Sequence, residues 1–122
     1  MVRRALLGLG AAAIWIASAA AQNAPPSYEA DPTVYKVIFE DQNFRVIAAT
    51  WKKGATDKPH SNPLPFVVYA LDDCTLHVHN PDGTTRELKN KVGGANAGPI
   101  TSSHTAENPG ESDCRAIFVE RK

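Results

Sequence analysis

Four histidines and two cysteines are the residues of this 122-residue chain best suited to bind a metal, move a proton or form a cross-link. His60 follows the turn-rich stretch Gly54-Ala-Thr-Asp-Lys-Pro, and His104 follows the stretch that opens at Gly93 and passes through Pro99. Each histidine therefore sits where a turn feeds a β-run. Two such segments let a barrel aim imidazoles from separate strands at one interior point. A metal held there wants three or four donors, and Asn62, near His60, offers only a neutral, weak oxygen. Ser61, Thr101, Ser102 and Ser103 add hydroxyls near the mouth of such a barrel, as turn-rich segments commonly do.

The other two histidines read differently. His77 and His79 alternate with Leu76 and Val78, so in a strand one pair faces inward and the other outward. The apolar pair is the better core, which puts His77 and His79 on an outer or subunit-facing side. A one-residue slip of register would exchange the faces and make His77-x-His79 the runner-up metal site. Cys74 and His77 form a single Cys-x-x-His without a second pair nearby, which is weak support for zinc. Ser61 and Ser103 each adjoin a histidine, but neighbours in a strand point opposite ways, so no nucleophile dyad follows. Gly93 to Gly98 lacks the Lys-Ser/Thr ending of a phosphate loop and reads as a flexible rim loop.

These residues need strands to position them. From Val34 onward, short runs rich in Val, Ile, Phe and Tyr alternate with turn clusters, at the spacing of an all-β sandwich or barrel. Strands are expected over Val34 to Phe39, Phe44 to Thr50, Phe66 to Leu71, Thr75 to His79, Thr84 to Leu88, a short one around His104, and Arg115 to Glu120. Asn80-Pro-Asp-Gly83 carries Pro and Gly where a type I turn places them. A blue-copper site would need a methionine and a Cys-His-Met loop, yet Met1 is the sole methionine. An immunoglobulin domain would bury a tryptophan between its cysteines, and neither Trp15 nor Trp51 lies between Cys74 and Cys114.

The first 21 residues have Arg3 and Arg4, an apolar run from Ala5 to Ala17 and an Ala-x-Ala ending at Ala21. This is the grammar of a cleaved secretory signal peptide, and the run is shorter than the about 20 residues of an uninterrupted span. Cleavage after Ala21 would leave no stable membrane anchor and place the protein in the periplasm or outside the cell. Residues 22–33, with Ala-Pro-Pro-Ser and Asp-Pro, read as a flexible, extended N-terminal segment, and residues 34–122 as one domain. Without Arg3 and Arg4 the 13 basic residues become 11 against 13 acidic ones, a net of −2 with no block of like charge. Nothing in that balance suggests nucleic acid or a membrane surface. In an oxidising compartment, two cysteines without a third favour one bridge, Cys74 to Cys114.

The two histidine segments resemble the paired motifs of the cupin superfamily. In the first, Gly54 and His60 match, while Asn62, Phe66 and Asp73 stand where His, Glu and Gly are expected. In the second, Gly93, Pro99, His104 and Asn108 match, and Thr101 replaces a glycine. The resemblance implies an all-β, antiparallel jelly-roll barrel. It also implies that the Cys74 and Cys114 strands run side by side, antiparallel, and that the outer sheet pairs in a homodimer. It implies an interior pocket bordered by His60, Asn62, Tyr69 and His104. Two functions are compatible with this degenerate motif. In one, the pocket binds a small polar ligand or is only structural. In the other, one divalent metal ion on His60 and His104 serves an enzyme of the dioxygenase or isomerase class, with bound substrate completing the shell.

Overall fold

A computed structural model describes residues 23–122, together with positions 8 and 10–12. Apart from those four positions, the signal peptide expected over 1–21 lies outside the described residues, as does its cleavage site. The described chain forms a helical turn α1 (Ser27–Ala30) and nine strands: β1 (Tyr35–Glu40), β2 (Phe44–Trp51), β3 (His60–Asn62), β4 (Phe66–Ala70), β5 (Cys74–His79), β6 (Thr85–Asn90), β7 (Ala95–Gly98), β8 (Thr101–Glu107) and β9 (Cys114–Arg121). They build a five-stranded sheet, β1-β2-β9-β4-β7, and a four-stranded sheet, β3-β8-β5-β6. The ladders are antiparallel, as in a jelly roll.

Alternation along the strands decides what lies between the sheets. In β2, Ile47, Ala49 and Trp51 point inward; in β5, Leu76 and Val78 do; in β9, Cys114 and Ala116 complete the same core. His77 and His79 thus take the outer face, where Glu107 lies 3.7 and 3.5 Å from them and Glu87 lies 3.4 Å from His77. A bulge between Val37 and Phe39 turns Phe39 outward against Val46, against the alternation begun by Tyr35 and Val37.

Three expectations need correction. Residues 22–33 were expected as an extended, flexible lead-in, yet α1 packs on the domain. The amide of Ala24 donates to the Ser102 carbonyl, that of Ser61 donates to Pro25, and Ser27 and Asp31 are buried. Residues 93–98, expected as a rim loop, contain β7, which pairs with β4 and places Gly98 opposite Phe66. The Phe66 ring occupies the space a Cβ at position 98 would take, so only glycine fits beneath it.

The third concerns the cysteines. They form the expected disulfide, with Cα atoms 5.7 Å apart, but β5 and β9 are not neighbours. One belongs to each sheet, so the bond joins the two layers rather than adjacent strands.

Candidate functional site

β3 and β8 bring the two motif histidines together. His60 lies directly opposite His104 in their ladder, and the Nε2 atoms are 3.1 Å apart. Asn62, on the same side of β3, places its amide nitrogen 3.0 Å from Nε2 of His104. All three side chains are buried. They line one side of a cavity of about 320 Å³ between the sheets, whose other walls include Phe66, Val68, Leu76, Val78 and Phe118. The edge strands β6 and β7 are not paired with each other, and residues of both, among them Arg86, Leu88 and Asn96, complete the lining. Tyr69 does not join the pocket. It is 47% exposed on the outer face of β4, because the alternation that turns Phe66 and Val68 inward turns Val67 and Tyr69 outward.

The sequence reading missed the groups behind His60. Asp57 is buried and accepts from the Tyr35 hydroxyl at 2.6 Å, the Trp51 indole at 3.0 Å and the Ala106 amide at 2.7 Å. Three donors satisfy a carboxylate that burial would otherwise penalise heavily. Burial and the Asp57 charge raise the Tyr35 phenol well above its usual range, so it stays a donor. Its ring also packs against His60, with centroids 5.0 Å apart. Asp57 stands in the turn between Gly54 and His60, and an acid inside a motif turn was the available signal. Its partners Tyr35 and Ala106, 22 and 49 residues away, were not readable from local pattern.

Hydrogen-bond geometry restricts the protons. Nδ1 of His60 lies 2.9 Å from the Lys58 carbonyl, which only accepts, so Nδ1 is protonated. Two imidazole nitrogens 3.1 Å apart require a proton between them. With His60 neutral, His104 donates from Nε2 and Asn62 must turn its oxygen to that group. With Asn62 donating, Nε2 of His104 is the acceptor and the proton between the rings sits on Nε2 of His60, on the side of the ring away from Asp57, which lies 3.6 Å from Nδ1. Either way, one proton lies between the rings. Burial first, then the charges of His60 and Arg86, push His104 down to about 4. It is a neutral hydrogen-bonding group at ordinary pH.

The Nε2 separation resembles that of two imidazoles on one ion, about 3.0–3.4 Å for metal–nitrogen bonds of this kind. The donor set does not fit a resident dication. Among the described residues no three His, Cys, Asp or Glu converge. Asp57 lies on the Nδ1 side of His60 and is engaged by three donors, Asn62 is neutral, and Phe66 covers Gly98. Two positive charges would stay uncompensated in a largely apolar chamber. Glu107 offers no help, since it meets His77 on the outer face.

No protein-family model matches this chain, and no curated protein matches it. Solved structures do. A cupin domain from Bordetella pertussis Tohama I is 17% identical with a TM-score of 0.68, over 83% of this chain and 98% of that one. An RmlC-like cupin family protein with a double-stranded β-helix fold from Methanocaldococcus jannaschii is 10% identical, TM-score 0.59, over 72% and 78%. A conserved protein with a double-stranded β-helix domain from Klebsiella pneumoniae is 18% identical, TM-score 0.58, over 72% and 75%. At these identities the likeness is one of fold: this chain has the cupin, or double-stranded β-helix, architecture.

Proposed function

We propose that this cupin-fold protein is exported and binds a small molecule in its interior cavity, with His60, Asn62 and His104 as the polar recognition group. The observation that carries the reading is the concentration of these three buried polar side chains, linked at 3.0 and 3.1 Å, on one wall of an otherwise largely apolar cavity of about 320 Å³. A chamber at the low end of about 300–1,000 Å³ with a few convergent polar groups is the usual form of a small-ligand site. Export is supported by the leader grammar of residues 1–21 and by the disulfide, which suits an oxidising compartment.

Native mass spectrometry of protein purified from its own compartment tests both parts. A mature chain beginning at Gln22 and carrying a small adduct that His104→Ala loses is the expected result. A chain retaining Met1 to Ala21 in the membrane fraction would remove the export reading, and adduct-free protein that binds nothing from an extract of that compartment would leave the cavity structural.

The metal-dependent enzyme remains the second reading, favoured by the 3.1 Å Nε2 separation alone. Stoichiometric zinc, manganese, nickel or iron in the native protein would establish it over the first. A homodimer through the outer face of the five-stranded sheet is also proposed, since Phe39, Val67 and Tyr69 leave apolar area exposed there. Light scattering checks it: a dimer that Val67→Glu dissociates is expected, and a monomeric wild type refutes it.

A further inference from the structure

Among the charged groups lining the cavity, Arg86 stands apart. It lies opposite Val78 in the β5–β6 ladder, so it shares the inward face of β6 with Leu88, which pairs with Leu76. Arg45 and Arg115 are engaged by carboxylates at 2.7 and 2.9 Å. Arg86 has no carboxylate within ion-pair distance among the described residues. Glu87, also on the lining, lies against His77 at 3.4 Å. Glu87 and Lys89, opposite His77 and Thr75, lie on the outer face of β6 and leave Arg86 as the charged side chain on its inward face. A guanidinium at the exposed rim of a largely apolar cavity, with no hydrogen-bond partner among the described residues, is a receptor for a planar oxyanion.

From this arrangement we infer that the ligand of the cavity is a small organic carboxylate, whose anionic end pairs with Arg86 and whose apolar body packs between Phe66, Val68, Leu88 and Phe118. The inference rests on the ligand-binding reading above and specifies its chemical class. His104, neutral down to about 4, and Asn62 present uncharged donors and acceptors at the wall. That wall receives a hydroxyl or carbonyl on the body of the acid without adding a competing charge. Carboxylates are favoured over amines because the inward-facing charge on β6, Arg86, is cationic, and the buried anion Asp57 is already held by Tyr35, Trp51 and Ala106.

Trp51 lines the cavity and would be the sole tryptophan of the chain after removal of the leader, so its fluorescence reports occupancy. The experiment titrates the exported protein with hexanoate and benzoate, and with hexanamide and benzamide as neutral isosteres. The acids should bind at least tenfold tighter than the amides, with affinity that falls as salt is raised. Arg86→Gln, on an exposed edge strand where folding is not at stake, should remove that preference by weakening the acids tenfold or more and leaving the amides unchanged. Acids and amides that bind equally, in wild type and Arg86→Gln alike, overturn the carboxylate assignment while the small-molecule reading stands. Failure of all four probes to bind overturns the assignment and counts against that reading too.

Discussion

The amide of Gly54 donates to the carbonyl of Asn108 at 2.9 Å, and the Asn108 amide returns a bond to Ala55 at 2.8 Å. The glycine that opens the first histidine segment is thereby tied to the asparagine that closes the second. Gly54 has φ +73°, which lets the turn after β2 bring this amide to β8 without strain. Two segments distant in sequence share one anchor: His60 follows its glycine, and His104 precedes its asparagine, at fixed steps.

The Asn108 side chain extends that anchor. It is fully buried, donates to the Trp51 and Ser112 carbonyls at 3.0 and 2.8 Å, and accepts from the Gly110 amide at 3.0 Å. Asn108→Ala strands these three backbone groups, and at about 1–3 kcal/mol for each buried group left unpaired the loss should total roughly 2–5 kcal/mol after partial rehydration. Urea unfolding checks the magnitude. A loss below about 0.5 kcal/mol, the scale of an ordinary surface change, would show that the anchor is incidental.

His104 makes stability depend on acid. Its ordinary value is 6.5 and its folded value about 4, so the unfolded chain binds the proton more readily. Stability is complete above about pH 6.5, falls as pH drops toward 4, and levels off below. A shift of this size corresponds to on the order of 3 kcal/mol. His104→Gln should flatten the slope in that window relative to wild type. Parallel pH profiles for the two proteins would refute the assignment.

How much of this was legible in the sequence follows from which signals are local. Strands with strong alternation, such as β2 with Ile47, Ala49 and Trp51 or β5 with Leu76 and Val78, were readable from pattern alone. β3 is three consecutive buried residues, His60, Ser61 and Asn62, and has no period to read. β7 is Ala-Asn-Ala-Gly, a sequence of low strand propensity that becomes a strand because β4 pairs with it and Phe66 covers Gly98. The motif spacing located His60, Asn62 and His104 but not Asp57, whose donors come from β1, β2 and β8. Tyr69 was misplaced by one step of alternation, and Arg86 carried no local signal because its role depends on the face of β6.

The disulfide gives a prediction that differs from the one adjacent strands would give. Because Cys74 and Cys114 belong to different sheets, the bond resists separation of the layers that enclose the cavity. The loop it closes, with a sequence separation of 40, corresponds to roughly 4 kcal/mol by the chain-entropy estimate. The Cys74→Ser, Cys114→Ser protein should melt well below wild type and lose ligand affinity along with packing. An unchanged melting temperature would show that the hydrophobic core alone holds the sheets.

Asn62 is the position at which the metal question can be decided by a single substitution. Its amide nitrogen lies 3.0 Å from Nε2 of His104, which in turn lies 3.1 Å from Nε2 of His60, so a third imidazole at position 62 would meet the other two beside the cavity. Three nitrogen donors plus water satisfy a tetrahedral zinc site, whereas two imidazoles and an amide do not. The adjoining space of about 320 Å³ gives the larger ring room. Asn62→His is therefore expected to acquire affinity for zinc, nickel or manganese that wild type lacks. The gain should weaken with falling pH as the imidazoles protonate and should vanish in Asn62→His, His104→Ala. Calorimetric titration with each metal alone, after chelator treatment, measures this directly. Equal stoichiometric binding by wild type and Asn62→His, both abolished by His104→Ala, would mean that the natural pair is already a competent metal site and would carry the enzyme reading over the ligand-binding one.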